Sequence, residues 1–180
     1  MTQNLNRTKS TELALLFLLF ILPGCLAALL YQHPQWLVGQ TSNKGQLVSP
    51  LIKLDSLTQK KWHLLLVSDQ QCSGRCLAML DKLARVRLAL GRLSREVDLR
   101  LMVTDPSLLP DKIIQNQMKD MAMTSQILSS TDRENLSIRN YLKGLFIVDP
   151  HNFMVLYYPL NAQQKSIFKD LKHLIKLAEQ

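Results

Sequence analysis

Two cysteines in the middle of the chain have a spacing that could support chemistry. Cys72 and Cys76 are separated by Ser73-Gly74-Arg75, after a short apolar run and before a stretch with helical periodicity. Thiols at the start of a helix lie near its unpaired N–H groups and the positive end of its dipole, which stabilise a thiolate. Arg75 adds a cation beside them. The pattern therefore predicts a reactive pair in which Cys72 is the more acidic and reactive thiol.

Disulfide exchange and metal binding are both open to such a pair. In a regular helix, Cβ atoms four residues apart are separated by about 5–6 Å, more than the roughly 3.5–4.5 Å of a relaxed disulfide. A disulfide requires the first turn to loosen, for which Gly74 is suited. Two separate thiolates suit a soft metal ion such as Cu(I) without that change. The alternative is a pair of ordinary buried thiols, since free cysteine is among the most buried residue types.

The segments on either side of the cysteines predict a strand, a helix and a second strand. Residues 62–67 are continuously apolar, which is typical of a strand buried on both faces. Apolar residues then recur at helical spacing until Gly91, a natural C-terminal cap. A second strand is predicted over 97–103. The right-handed crossover between the two strands makes them parallel neighbours in one sheet.

The rest of the chain predicts a helical insertion, a β-hairpin and a final helix. The predicted elements are helices over 111–123 and 133–142, strands over 144–148 and 153–158, and an amphipathic helix over 163–178. This order is that of an α/β thioredoxin-like sandwich. The apolar stripe of the first helix and the two buried strands predict one shared core, to which Val86, Leu90, Leu65 and Ile147 belong.

An uncharged apolar segment precedes the folded part. Its 19 residues, 13–31, just cover a bilayer core of about 30 Å as a helix. Arg7 and Lys9 lie before the segment and the first charge after it is Lys44, so the positive-inside rule predicts a cytoplasmic N terminus. The predicted organisation is a cytoplasmic segment over 1–12, a transmembrane anchor over 13–31, a tether over 32–50 and a folded domain over 51–180. The domain is expected in the periplasm or an equivalent space, held to the inner membrane by a single pass.

Leu22-Pro23-Gly24-Cys25 offers another interpretation of the apolar segment. These residues resemble a bacterial lipobox, in which Cys25 would be acylated after cleavage. Pro23 is unusual in that motif, and the apolar run continues past the cysteine, where lipoproteins usually turn polar. We therefore expect a retained anchor, with Cys25 as a packing or lipid-facing thiol.

The formal net charge of +8 does not predict a nucleic-acid partner. The basic residues are spread over amphipathic helices without interleaved aromatic residues, unlike the clustered stripe of a nucleic-acid-binding protein. Solvated helix faces near anionic inner-membrane lipid explain the charge more simply.

The layout resembles that of the Sco/SenC family of copper chaperones. The resemblance extends from about residue 13 to the end. It depends on the anchor, the tether, the strand that leads into Cys72-x-x-x-Cys76, and the later strand end Leu145-Phe-Ile-Val-Asp-Pro150. It implies a thioredoxin-like fold, a role in assembling the copper site of cytochrome oxidase, and Cu(I) binding by both thiolates. The family's copper-binding histidine precedes that strand end. Residues 139–144 contain no histidine, so His151, in the turn after the strand, is the substitute metal ligand.

Three functions are open at this point. The favoured one is an outward-facing, membrane-anchored Sco-like assembly factor that handles Cu(I) or keeps copper-site cysteines reduced, with a cytochrome oxidase subunit as partner. The first alternative is an enzyme, a general thiol–disulfide oxidoreductase that cycles Cys72 and Cys76 and docks substrate without a cis-proline. The second is a non-catalytic binding module of the respiratory membrane that uses the basic helices.

Overall fold

The structure, a computed structural model, describes residues 3–32 and 43–178 in two separate compact units. The first unit contains helix α1, Gln3–Gln32, which runs through Pro23. Within the described residues, no helix is long and apolar enough to cross a membrane. The anchor predicted over 13–31 is therefore not supported by the structure, and it remains a prediction. Most of the predicted tether, residues 33–42, lies outside the described residues.

In the described part of the second unit, six strands form one mixed sheet in the order β1-β6-β5-β2-β3-β4. The central strand β2 pairs in parallel with β3 and antiparallel with β5. β6 lies antiparallel between β5 and β1, and β4 extends the parallel side. The strands are β1 (Gln46–Lys53), β2 (Trp62–Ser68), β3 (Val97–Val103), β4 (Met123–Ile127), β5 (Gly144–Val148) and β6 (Phe153–Tyr158).

Four α-helices accompany this sheet in the described residues of the second unit: α2 (Arg75–Ala89), α3 (Lys112–Asp120), α4 (Ser130–Ile138) and α5 (Gln164–Ala178). The predicted β2-α2-β3 unit is confirmed, including its parallel pairing. Gly91 ends α2 with φ of 60°, a left-handed conformation that favours glycine. The predicted hairpin of β5 and β6 and the final helix are confirmed as well.

The sheet is buried on both faces. Leu64 and Leu66 of β2 contribute to the core cluster that includes residues of α2 and α5. Leu65 and Val67 contribute to a second cluster with Leu54, Leu57 and Leu136. Successive side chains of a strand point to opposite faces. The predicted shared core is therefore correct for Val86, Leu90 and Ile147 and wrong for Leu65.

Two edge strands escaped the sequence analysis. β1 begins at Gln46, inside the segment predicted as tether, so the sheet begins before the predicted domain boundary at 51. It buries only Val48 and Ile52, and it contains a proline. β4 buries only Met123. Edge strands have one exposed side and tolerate proline, so neither strand carries a strong apolar pattern.

Helix α4 begins earlier than predicted because Ser129 caps it. The Ser129 Oγ accepts a hydrogen bond from the backbone N–H of Asp132 at 3.1 Å. This bond satisfies one of the N–H groups that a helix start leaves free. The helix therefore covers Ser130–Ile138 rather than 133–142.

Candidate functional site

Cys72 and Cys76 form a disulfide beyond the end of β2, with their Cα atoms 5.2 Å apart. Helix α2 begins only at Arg75, with Gly74 as its N-cap at φ 43°. Cys72 therefore lies before the helix rather than on its first turn. The spacing of a regular helix does not apply to the pair, which is the loosening that the sequence analysis assigned to Gly74.

Hydrogen bonds hold the loop that carries the disulfide. The Ser68 hydroxyl donates to the carbonyl oxygen of Gln70 at 2.7 Å, just after β2. At the other end, the backbone N–H of Cys76 donates to the carbonyl of Ser73 at 2.9 Å. The backbone N–H of Ala78 donates to the carbonyl of Gly74 at 3.0 Å, which starts the helical ladder. The disulfide is therefore fixed between the central strand and the start of α2.

The two sulfur-bearing residues have different surroundings. Cys72 is 1% exposed and packs in the core, while Cys76 is 8% exposed and lines an open cleft. Cys76 is the second residue of α2, in the turn whose N–H groups lack helical partners. The sequence predicts the helix-start effect for Cys72. The structure places Cys76, not Cys72, in that position.

The cleft beside Cys76 has a volume of about 1080 Å³. Its wall combines the loop before α2, the first two turns of α2, the residue before β5 and the connection from β6 to α5. The residues on it include Gln70, Gln71, Ser73, Arg75, Lys82, Lys143, Tyr157 and Asn161. Lys143, Tyr157 and Asn161 could not be predicted from local patterns, because they come from elements that only the tertiary fold brings to the cysteines. Lys82 lies on α2 itself, within two turns after Cys76.

Gly144 lets Tyr157 lie beside the start of β5. Gly144 has φ of 144°, and a Cβ at this position would collide with the Tyr157 ring and lie 3.2 Å from the Tyr158 carbonyl oxygen. The Tyr157 ring also packs against Tyr141 and Phe146, with centroid distances of 5.4 and 5.3 Å. Tyr141 and Phe146 therefore help to fix the position of Tyr157, which lines the cleft.

The structure does not bring His151 to the two cysteines. β2 and β5 are antiparallel, so Val148 pairs with His63 at the start of β2, while Gly144 pairs with Val67 near its end. His151 follows β5 and therefore lies at the end of the sheet away from Cys72, about 20 Å along the strand. Its side chain is 82% exposed, 3.9 Å from Asp149.

Reduction of the Cys72–Cys76 disulfide would free two sulfur ligands for copper at this site. Within the described residues, no group of three or more histidine, cysteine or acidic side chains is arranged to hold a metal ion. In the disulfide form, both sulfurs are bonded to each other. Once reduced, two neighbouring thiolates with Cα atoms 5.2 Å apart suit a two-coordinate Cu(I) ion, which prefers soft sulfur ligands.

The fold and this centre define a thioredoxin-like domain with a redox-capable cysteine pair after its central strand. The profile of the family described as "Transmembrane-like, thioredoxin-like, C-terminal domain" matches residues 62–178, and the chain belongs to that family. No curated protein matches the chain in sequence.

Solved structures of Sco proteins share the fold. Apo Sco1 from Thermus thermophilus matches with a TM-score of 0.59 and 16% identity, over 76% of this chain and 99% of that chain. Copper-bound ScoI from Arabidopsis thaliana matches with a TM-score of 0.53 and 18% identity, over 74% and 98%. Copper-bound yeast Sco1 matches with a TM-score of 0.52 and 16% identity, over 66% and 80%. The resemblance to the Sco/SenC family is confirmed at the level of the fold.

Proposed function

We propose that this chain is a membrane-held thiol–disulfide protein whose Cys72–Cys76 pair acts on the cysteines of a copper site outside the cytoplasm. The observation that carries the proposal is a disulfide at the start of α2 that borders an open cleft in a thioredoxin-like fold. A disulfide that only staples a fold needs no access for a partner, whereas Cys76 lies on the cleft wall.

The chemical step is an exchange with a partner dithiol. A partner thiolate bonds to one sulfur of the pair, the Cys72–Cys76 bond breaks, and its electron pair leaves with the other sulfur, which takes up a proton. The second partner thiolate then attacks the mixed disulfide and displaces the remaining cysteine, which is protonated in turn. The partner is oxidised and the pair is reduced. The reverse sequence reduces a partner disulfide and would keep copper-site cysteines ready for metal.

Cu(I) transfer is a second function that the same residues support. The two cysteines lie close together with Cα atoms 5.2 Å apart, and reduction frees both sulfurs as ligands. Copper is then cargo, accepted by the reduced pair and passed to the partner's thiolates. The absence of a third ligand in the described residues favours exchange over tight retention.

Location and partner complete the proposal. The membrane part of the proposal comes from the sequence, where residues 13–31 form an uncharged apolar segment. Within α1, Phe17, Leu18, Leu19 and Phe20 are each more than 60% exposed. The positive-inside rule then favours a domain that faces outward. The proposed partner, a cytochrome oxidase subunit, comes from the resemblance of the sequence to the Sco/SenC family.

The reduction potential of the pair tests the exchange function. The full chain, purified in mild detergent, is equilibrated in graded dithiol buffers, and free thiols are counted by alkylation and mass spectrometry. We expect a potential above about −300 mV, because structural disulfides usually lie below that value. Cys25→Ser is the matched control and should leave the potential unchanged. A pair that resists reduction to well below −300 mV would show a structural staple.

Copper titration tests Cu(I) binding by the cysteine pair, and complementation in cells tests the role in cytochrome oxidase assembly. The reduced chain should bind one Cu(I) against a chelator, Cys72→Ser and Cys76→Ser should each lose it, and His151→Ala should keep it, because His151 lies at the other end of the sheet. In cells, loss of the protein should lower the copper content of cytochrome oxidase. If the double cysteine variant restores that copper content, the protein is a non-catalytic binding module.

A further inference from the structure

The wall of the cleft beside Cys76 is cationic. Among its described residues it carries Arg75, Lys82 and Lys143 and no carboxylate. Arg75 and Lys143 are exposed, and Lys82 is half-buried. Asp69 and Asp81, the acidic residues near the cysteine loop in sequence, are not on the wall, and Asp81 pairs with Arg85 at 2.7 Å. The cleft therefore favours an anionic occupant.

The contacts of the two lysines leave their charges available. Lys82 Nζ lies 3.5 Å from the carbonyl oxygen of Ala162, and Lys143 Nζ lies 3.5 Å from Oε1 of Gln70. Both partners are neutral. Within the described residues, none of the three cleft cations has a carboxylate within 4 Å. The cations come from two parts of the chain, α2 and the segment before β5.

Access to the disulfide is limited to one sulfur. Cys76 forms part of the cleft wall, whereas Cys72 is 1% exposed and packs with Met79 and Leu80 in the core cluster. A thiolate that enters the cleft therefore meets Cys76 first. Bond formation at Cys76 expels Cys72 as the leaving thiolate, which then takes up a proton.

We infer that the cleft is the docking site for an acidic, cysteine-bearing segment of a partner protein. In either direction of the exchange, the bond to the partner's sulfur forms at Cys76. The inference rests on the proposed exchange function and adds the chemistry of the partner to it. The volume of about 1080 Å³ exceeds the needs of one side chain and suits several residues. Gln70, Gln71 and Asn161 line the wall with amide groups that can bind a peptide backbone. Carboxylates flanking the partner cysteine would pair with the three cations.

Matched dithiol peptides test the charge preference. The full chain in detergent is reduced by a Glu- and Asp-rich peptide with two cysteines, or by its Gln and Asn counterpart. Each rate is divided by the rate of the same peptide with a small neutral disulfide, which removes differences in thiol pKa. We expect the acidic peptide to react about tenfold faster at low salt. The preference should shrink towards one in 1 M salt, where the Debye length is about 3 Å.

Variants locate the preference. Arg75→Gln, Lys82→Gln and Lys143→Gln combined should reduce the ratio of the two peptide rates towards one. Lys165→Gln, Lys169→Gln and Lys176→Gln combined remove the same charge from exposed positions of α5 outside the cleft and should keep the ratio. An unchanged ratio in the cleft variant, or a ratio lost equally in both, overturns the inference.

Two further arms identify the sulfur and the kind of occupant. A peptide with one cysteine should be found by mass spectrometry on Cys76, with Cys72 free to alkylate, and attachment to Cys72 overturns the assignment. Glutathione, a small thiol with two carboxylates, is normalised in the same way as the peptides. Its rate should exceed that of the neutral peptide by less than the acidic peptide's rate does. If glutathione and the acidic peptide show the same advantage, a protein segment is overturned as the occupant. Equal rates for both peptides reject this inference alone, whereas no reduction by any dithiol rejects the proposed function.

Discussion

A single buried carboxylate joins three parts of the second unit. Asp170 of α5 is 2% exposed, and its Oδ2 accepts hydrogen bonds from the backbone N–H groups of Lys44 and Gly45 at 2.6 and 2.9 Å. The hydroxyl of Tyr158 donates to the same oxygen at 2.6 Å. Burial, and then the bond to this carboxylate, raise the pKa of Tyr158 above its ordinary value. Asp170 therefore ties the start of the unit and β6 to α5.

Removal of this carboxylate should destabilise the domain strongly. Asp170→Ala leaves three donors without their acceptor, which should lower the free energy of unfolding by about 3 kcal/mol or more. Asp170→Asn keeps an acceptor oxygen and should cost less. Urea titration measures both. Asp81→Ala is the control, since Asp81 forms an exposed ion pair with Arg85 whose contribution should stay below about 1 kcal/mol. Equal losses at Asp170 and Asp81 would contradict the role of the buried carboxylate.

At the scale of the element, β2 combines full burial with one titratable group. His63 is 0% exposed, and its Nε2 lies 3.2 Å from the carbonyl oxygen of Gln59. Burial is the main reason that the pKa of His63 is lowered, and Arg100 and Lys61 act in the same direction against Gln59 and Asp98. In the described residues, its Nδ1 has no hydrogen-bond partner. The folded domain therefore favours the neutral form of this imidazole.

His63 should make the domain less stable in mild acid. Its pKa is lower in the folded state than in the unfolded state, where it is about 6.5, so the unfolded chain binds more protons in acid. The stabilisation is complete above about pH 6.5 and is lost as pH falls towards the folded pKa. His63→Gln should reduce the loss of stability between pH 7.5 and 5.5, measured by urea titration at each pH. His173→Gln, at an exposed position of α5, should keep the wild-type slope. A slope that is unchanged in His63→Gln would assign the acid effect to other groups.

Helix α2 offers a second comparison within one element. Leu83 is 0% exposed in the core cluster with α5, while Leu88 on the same helix is 78% exposed. Leu83→Ala should lower the free energy of unfolding by about 2–5 kcal/mol, because it leaves a cavity. Leu88→Ala should change it by less than about 0.5 kcal/mol. If denaturant titration gave similar losses of unfolding free energy for the two variants, the assignment of the Leu83 face of α2 to the core would be wrong.

At the scale of the whole molecule, the direction of the chain in the membrane is a prediction from charge. Arg7 and Lys9 precede the apolar segment, and no formal charge occurs between Glu12 and Lys44. We expect alkaline phosphatase fused after Gln180 to be active and a cytoplasmic reporter at the same position to be inactive. The opposite pattern would place the cysteine pair in a reducing compartment and remove the argument for a stable disulfide.

Much of the second unit could be predicted because its elements have strong local patterns. Each of these elements buries apolar side chains and occupies a short continuous segment. The burial appears as apolar runs in β2, β3 and β5 and as periodic apolar faces in α2 and α5. The position of the cysteine pair, after β2 and at the start of α2, follows from the same patterns. β1 and β4 lacked such a signal, because edge strands bury few residues.

The sequence by itself therefore determined the order of most elements and the residue types of the redox pair, since helical and strand periodicity are local properties of the chain. The tertiary structure decided what these residues can do together. The start of α2 at Arg75 placed Cys76, rather than Cys72, beside the cleft. Antiparallel pairing of β2 with β5 brought Lys143 to that cleft and carried His151 to the other end of the sheet. Strand direction and the exact helix start depend on packing between distant segments, which no local pattern encodes.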